Sequence, residues 1–431
     1  MKLAGIKVLL DAYNLSLGQG TGIKNYGLTM IKSLKQLEAN VNILFGKNYR
    51  HHKNSLLNEV LFFDNGNYNQ SKFFLSKDLL KAASSIYYSA KRVSINDVVL
   101  RDPLLSEGFD NDFVGAFNLS ECYRISNLLF GKFGLPTRVN INEKIDIWHA
   151  TYPLPVRVKN AKKITTIHDL IPLRLPYTSL DDKVFTYKNI KNSIKDSDLI
   201  VTVSQNSKSD IISLFGTNPD KIHITYQTTN LDDFHCNSDD LAAVLKQHNL
   251  KPNNYILFVG AIEPKKNVGR LIDAHALIEP EYKIPLVIVG KKAWMWENDI
   301  GKLENIYGKR FTKKVKLLEH IPKNTLKYLY KGASCLVFPS LYEGFGLPPL
   351  EAMTFGCPVI TSNVASLPEV CGNSALYVDP YDVFSIKNAI SQVLRDRELW
   401  NNLSKAGQER AKLFSLESYS ERLYEAYTKV L

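Results

Sequence analysis

Short apolar runs recur along this chain, separated by amphipathic stretches long enough to form a helix, and the series occurs twice. Strands buried on both faces read as continuous Val, Ile and Leu runs, and strands joined through helices must run parallel. The first series comprises Ile6 to Leu10, Val41 to Phe45, Ile145 to Trp148, Ile164 to Ile167 and Leu199 to Val203, and closes with Lys221 to Tyr226. The polar, acidic stretch Leu231 to Asp240 reads as a linker. A second series follows: Tyr255 to Val259, Leu286 to Val289, Val315 to Leu318, Cys335 to Phe338 and Val359 to Thr361, spaced by helices such as Val268 to Ile278 and Asn324 to Tyr330. A chain of 431 residues is too long for one core. The pattern predicts an α/β protein with two Rossmann-like doubly wound domains facing each other across a cleft, residues 1–232 and 233–431. Residues 51–140, rich in Asn, Tyr and Phe, read as an insertion in the first domain. The chain closes on an amphipathic helix at about 416–431, with Leu423, Ala426, Tyr427 and Val430 on one side.

Hydrophobic residues make up 45% and charged ones 23%, as in a soluble globular chain, and no apolar stretch approaches the ~18 residues of a membrane span. Asp11 interrupts the N-terminal apolar run, which reads as a first strand rather than a signal peptide. Cys122, Cys236, Cys335, Cys357 and Cys371 are odd in number and lack metal-ligand spacing, which favours reduced thiols in the cytoplasm. The net charge of +11 asks for an anionic partner. Basic residues cluster at Arg157, Lys159, Lys162 and Lys163, at Lys183, Lys188, Lys191 and Lys195, and at Lys309, Arg310, Lys313, Lys314 and Lys316. No recognition helix, zinc finger or aromatic RNA-binding sheet accompanies them. An anionic membrane surface or a lipid diphosphate acceptor is therefore favoured over nucleic acid, with a merely solvated face as the bland alternative.

The densest chemistry lies in FPSLYEGFGLPPLEAM. Glu343 and Glu351 flank a Gly-rich turn, Gly344 to Leu347, that opens a helix with Pro348 in its first turn. A helix start offers unpaired N–H donors and a partial positive charge, a seat for a diphosphate that leaves the glutamates to hydroxyls. An ordinary loop acid and first-turn acid are the alternative. In YILFVGAIEPKKN a strand ends at Gly260, and Lys265 and Lys266 precede a helix, where cations oppose the dipole unless an anion answers them. His168 and Asp169 follow a strand at its ligand-facing end, where Asp169 either orients the ring or caps the next turn. Gly18, Gly20, Thr21 and Gly22 form a loop able to approach an anion or a sugar, but the spacing is not that of a dinucleotide fingerprint. Asp110-Asn111-Asp112 and Asp196-Ser197-Asp198 supply too few ligands to argue for a metal.

Taken with TGIKNY, TIHDLIP, TVSQNSKSDI, VGKKAWMW and LPEV, these motifs make the chain resemble a retaining family 4 glycosyltransferase of the two-Rossmann GT-B fold. Members of that family commonly build O-antigen, capsule or exopolysaccharide units, many as mannosyltransferases. The resemblance implies that Lys266, with Lys265, Gly260 and the amides of Gly344, Phe345, Gly346 and Leu347, holds a donor diphosphate. It places Glu343 on donor-sugar hydroxyls, Glu351 on the ribose and His168 beside the anomeric carbon. The loop Gly20, Thr21 and Gly22 would meet the diphosphate or the acceptor, and the last helix would cross back onto the first domain. It further implies a nucleotide-sugar co-substrate (GDP-mannose favoured over UDP-sugars), no other cofactor and no metal. The acceptor would be a lipid-linked glycan, reached at the inner face of the membrane without nucleic acid. A sugar-nucleotide epimerase of the same shape, or a basic nucleic-acid-binding protein, is the alternative. The chain departs from many relatives in carrying Lys265 where an arginine is frequent, and Tyr226-Gln227-Thr228-Thr229 where Asn-Gly is frequent.

Overall fold

Lys7–Asp11 is buried beyond its first residue because it pairs in parallel on both sides, with Asn40–Phe45 and with Ile147–Ala150. The structure, a computed structural model, describes residues 1–15, 22–49, 52–64, 82, 88–93, 95, 99, 115–229, 237–309 and 311–431. Among these, the first sheet has ten strands. In spatial order they are Ile222–Ile224, Leu199–Thr202, Lys162–Ile167, Ile147–Ala150, Lys7–Asp11, Asn40–Phe45, Gly115–Asn118, Ser89–Val93, Thr137–Ile141 and Val156–Val158. Among the described residues only the pairing of Ser89–Val93 with Gly115–Asn118 is antiparallel. Part of the stretch 51–140 therefore continues the sheet instead of standing apart from it. Its strands SAKRV and TRVNI have exposed residues among buried ones, so they lack the continuous apolar signature.

The second sheet is all parallel, in the order Val315–Leu318, Leu286–Val289, Ile256–Val259, Cys335–Phe338, Val359–Ser362 and Ala375–Val378. The chain order reverses between Ile256–Val259 and Cys335–Phe338, and ligands of open α/β sheets sit at such a switch, beyond the strands' carboxyl ends. Ala375–Val378 is a strand the apolar pattern does not announce, since only its two ends are buried. The acidic stretch is shorter as a linker than its composition suggests. Asn237 accepts from Asp240 N and caps a helix, Ser238–Gln247, whose first turn uses Asp239 and Asp240 against the dipole.

Two arrangements position the cleft. The last helix, Leu416–Thr428, lies against Gly22–Gln36 of the first domain: Ser33 Oγ donates to Ser420 Oγ at 2.9 Å, the Tyr26 and Tyr419 rings meet edge to face at 6.2 Å, and His149 Nδ1 is 2.8 Å from Tyr427 OH. On the opposite side, Glu369 of the second domain accepts from Gln205 N at 2.6 Å and Asn206 N at 3.2 Å. These amides open the helix Gln205–Phe215 of the first domain, so a carboxylate from one domain answers the dipole of the other. Tyr342 OH donates to Asp210 on the same helix and accepts from Asn206 Nδ2 at 2.6 Å. Glu369→Ala is expected to lower unfolding stability by about 1 kcal/mol, as for loss of a helix cap. Urea denaturation followed by circular dichroism would measure this, and an unchanged midpoint would show that the contact adds nothing.

Candidate functional site

Two loops leave adjacent strands at the switch point, 260–267 after Ile256–Val259 and 339–346 after Cys335–Phe338. They are tied side by side. Leu341 N donates to Lys265 O at 2.8 Å, and Asn267 Nδ2 lies 2.9 Å from Pro339 O and 2.7 Å from Pro380 O. This sets Lys266 Nζ 2.5 Å from Glu343 Oε1 and 5.0 Å from the centre of the Phe338 ring. Ser340 Oγ donates to the same carboxylate oxygen at 2.7 Å. Burial alone would raise the Glu343 carboxyl, but Lys266, then Lys265, and the hydrogen bonds from Lys266 and Ser340 outweigh it and hold it below the usual range. For Lys265, burial pulls the ammonium down, yet Glu343, Glu263 at 3.3 Å and Asp169 leave it above its ordinary value. Gly260 ends its strand beside the Lys266 stem.

The turn after Glu343 is held from beneath: Ser366 Oγ is within hydrogen-bonding reach of the carbonyls of Glu343 (2.9 Å) and Phe345 (2.8 Å). Gly346, at φ +111°, starts the helix Leu347–Thr354. Among the described residues nothing accepts from the amides of Gly344, Phe345, Gly346 and Leu347, so the helix start keeps open donors.

His168 enters from the first domain. Its Nε2 is 2.9 Å from Thr151 O, and because a carbonyl only accepts, Nε2 carries the proton and Nδ1 is left as the ring's acceptor. Desolvation outweighs the Thr151 hydrogen bond and Asp169, so the ring's pKa lies below its ordinary value and the imidazole is neutral. The Tyr26 ring meets it edge to face at 4.7 Å. Thr151 is itself anchored through its N–H to Asp11, whose carboxyl burial pushes up to about 6. Asp169 Oδ1 accepts from Ile171 N at 3.0 Å, so it caps the following turn. Gly344 comes so near that a Cβ there would lie 2.7 Å from His168 O and 2.9 Å from Asp169 Cβ.

Glu351 lies one helical turn further on and is partly buried. Tyr330 OH donates to its Oε2 at 2.7 Å. Burial raises its carboxyl above the ordinary value, against the hydrogen bond from Tyr330 and the charge of Lys323. It lines an open pocket with Leu347 and Lys323 of the second domain, Asn25, Tyr26 and Thr29 of the first, Tyr419 of the last helix, and Gln227, Thr228 and Thr229. Lys266, Glu343 and His168 are not among the residues that line it.

The candidates thus divide. Lys266, Lys265, Glu343, Gly260 and the turn Gly344 to Leu347 come together, the backbone of His168 meets that turn at Gly344, and Glu351 lies one turn further along. Gly22 begins the helix Gly22–Gln36, while Gly18, Gly20 and Thr21 lie outside the described residues, as do Asp110-Asn111-Asp112 and Arg310. Asp196 and Asp198 are engaged by Lys163, Arg157 and Lys162. Lys163 is buried and adds nothing to a basic surface, and Lys314 and Lys316 reach Glu279 and His248 O. Ser340 and Ser366 stand inside the motifs but show no signal of their own. Thr151, Tyr26 and Tyr330 act through contacts between segments far apart in sequence.

Residues 243–410 match the family model described as glycosyl transferases group 1, and residues 117–233 match glycosyltransferase family 4. The chain is 37% identical over 288 residues to the O-antigen chain mannosyltransferase B of Escherichia coli, covering 65% of this chain and 74% of that protein. It is 32% identical over 245 residues to the O-antigen chain mannosyltransferase RfbU of Salmonella typhimurium, covering 57% and 63%. Among solved structures, sucrose-phosphate synthase from Thermosynechococcus elongatus superposes with a TM-score of 0.67 at 18% identity, covering 98% of each chain. That likeness agrees with the two-domain fold.

Proposed function

The chain belongs to glycosyltransferase family 4, and on the strength of that membership we propose that it transfers mannose from a nucleotide diphosphate sugar, GDP-mannose, to a lipid-linked glycan in cell-surface polysaccharide synthesis, with retention of configuration. The observation that carries this reading is the Lys266–Glu343 pair, buried at the switch point beside the open helix amides of a turn whose Gly344 packs against the backbone of His168. An ion pair this buried is costly to keep for stability alone. Here each partner suits a different part of a sugar diphosphate. As the glycosidic bond to phosphate breaks, negative charge grows on the leaving diphosphate, and Lys266, Lys265 and the amides of Gly344 to Leu347 answer it without rearranging. Glu343, kept ionised, accepts from the sugar hydroxyls released to it, and Glu351 accepts from the ribose. His168 is neutral and does not act as a general acid; its Nδ1 accepts from the sugar near the anomeric carbon. The acceptor hydroxyl attacks from the face the diphosphate leaves, and the departing phosphate takes the proton.

The residues of the first domain complete the acceptor side, and the acceptor's lipid places the enzyme at the inner face of the membrane. Among the described residues no helix is long and apolar enough to cross a membrane. The test is a thermal-shift screen of GDP-, UDP-, dTDP- and ADP-sugars, with GDP-mannose expected to raise the melting temperature most. A larger shift with a UDP-sugar would overturn the choice of donor, and donor turnover with no acceptor present would favour epimerisation. Glu351→Gln is expected to raise the donor KM about tenfold with kcat little changed, since a charge-assisted hydrogen bond is replaced by a neutral one. Because the Glu351 carboxyl sits above its ordinary value, protonation should weaken donor binding as pH falls, starting above the usual carboxylate range. Steady-state kinetics at a series of pH values would show this as a KM effect that the Gln variant lacks.

A further inference from the structure

The helix Lys183–Asp196 turns Asn189, Ile190 and Ser193 inward. Its outer stripe is Val184, Tyr187, Lys188, Lys191 and Lys195, at the three- and four-residue spacing of one helix face, and all five are exposed. The apolar end of this stripe does not stand alone. Phe130 meets Phe185 at 6.0 Å, which brings the end of the helix Cys122–Phe133 against the first turn of Lys183–Asp196. Phe133, Leu180 and Val184 are 67%, 75% and 63% exposed, and Leu135, Tyr177 and Tyr187 are exposed as well. At the other end, Arg157 bonds Asp196 at 3.0 Å, which joins the helix to the sheet's edge strand Val156–Val158 and its neighbour Lys159.

The charges around this face are mainly of one sign. Lys132, Arg138, Lys159, Lys188, Lys191 and Lys195 are exposed on it or at its margin. The acids nearby are engaged: Asp196 by Arg157 and Lys163, Asp198 by Lys162, Asp182 by the amide of Phe185, and Asp181 by Ser179. Large apolar side chains next to lysines that, among the described residues, make no ion pair with an acid match the inner leaflet of a bilayer, where the acyl boundary takes the former and anionic headgroups the latter. The chain passes from His168 to this helix through Ile171–Arg174 and Pro176–Thr178, and Tyr177 lies against Tyr381 of the second domain, so the apolar end borders the mouth of the cleft.

We propose that this face, apolar around Phe133, Leu180 and Val184 and basic along Lys188, Lys191 and Lys195, docks the protein on the surface of a bilayer rich in anionic phospholipid. The docking rests on the reading of a lipid-linked acceptor, and it brings that acceptor's lipid anchor to the same side as the cleft mouth.

The test is sedimentation of the full chain with vesicles of phosphatidylglycerol and phosphatidylethanolamine, against vesicles of phosphatidylcholine alone. Binding is expected only to the anionic vesicles and should weaken with added salt. A Phe133→Ser, Leu180→Ser, Val184→Ser variant and a Lys188→Glu, Lys191→Glu, Lys195→Glu variant should each lose about tenfold or more in partitioning. Lys246→Glu, Lys331→Glu, Lys405→Glu, which changes as much charge on the second domain, should keep it. Circular dichroism would confirm that the variants fold. Equal binding to both vesicle types, no binding to anionic vesicles, or an equal loss in the second-domain variant would overturn the proposal. So would a dimer that the apolar variant dissociates while vesicle binding is absent. The donor thermal-shift screen is independent of the vesicles, so failure of one reading is told apart from failure of the other.

Discussion

Lys266→Ala is expected to lower sugar transfer by ~10²–10³-fold, the loss typical of removing one preorganised charge from a developing oxyanion. Glu343→Ala should cost a comparable factor, because the donor sugar loses the carboxylate that fixes its hydroxyls. The two losses differ in what they leave behind. Without Lys266, the Glu343 carboxylate stays buried with Lys265 and Ser340 as its remaining support, so its pKa should rise toward the ordinary value. The informative variant is the double one. If the pair were only structural, removing both charges would relieve the unpaired group and restore activity. If each partner holds a different part of the donor, the Lys266→Ala, Glu343→Ala variant is at least as inactive as either single one while retaining a cooperative unfolding transition. Initial-rate measurements with saturating donor decide between these outcomes, and recovery in the double variant would sink the donor-site assignment.

The second large effect is expected at Gly344. A Cβ at this position would meet His168 O at 2.7 Å and Asp169 Cβ at 2.9 Å, neither of them the far end of a flexible side chain. Gly344→Ala should therefore prop the cleft open. The clash lies between domains and spares each core, so the cost falls on closure and hardly on folding. Transfer should drop by ~10²-fold, because a displacement of about 1 Å at a reacting centre has that price in rate. The melting temperature should move by only a few degrees. Small-angle scattering would show a larger radius of gyration than the parent in the presence of donor. Unchanged dimensions together with full activity would mean that the closed arrangement is not the working one.

Much of the candidate site's placement was legible because its residues are local in sequence. Glu343, the turn Gly344 to Leu347 and Glu351 sit within one strand–loop–helix unit, and Lys265 and Lys266 sit in another, so spacing alone placed them beside strand ends. The two-domain α/β architecture was legible for the same reason, since fully buried parallel strands announce themselves as apolar runs. What escaped was set by partners distant in sequence. Tyr330 reaches Glu351, Thr151 holds His168, and Tyr427 reaches His149, and none of these side chains differs in composition from an ordinary core or cap residue. Charge was the least legible. Lys163 belongs to a basic run in the sequence, yet it is buried with its ammonium against Asp196 and the carbonyl of Leu154, so counting lysines overstated that patch. The run Tyr226-Gln227-Thr228-Thr229 stood out in the sequence only as a departure from relatives, and its last three residues wall the cavity that contains Glu351.

The packing of Leu416–Thr428 on Gly22–Gln36 bears on how the protein is made. Tyr427 and Tyr419 are fully buried against groups from the first domain, His149 and Tyr26 among them, so that domain lacks part of its interior until residue 428 has left the ribosome. Domains ordinarily mature in the order in which they are translated. Here the half that is translated first is the last to be completed, and during synthesis it carries an uncovered seam that the second half must finish before the chain is sealed.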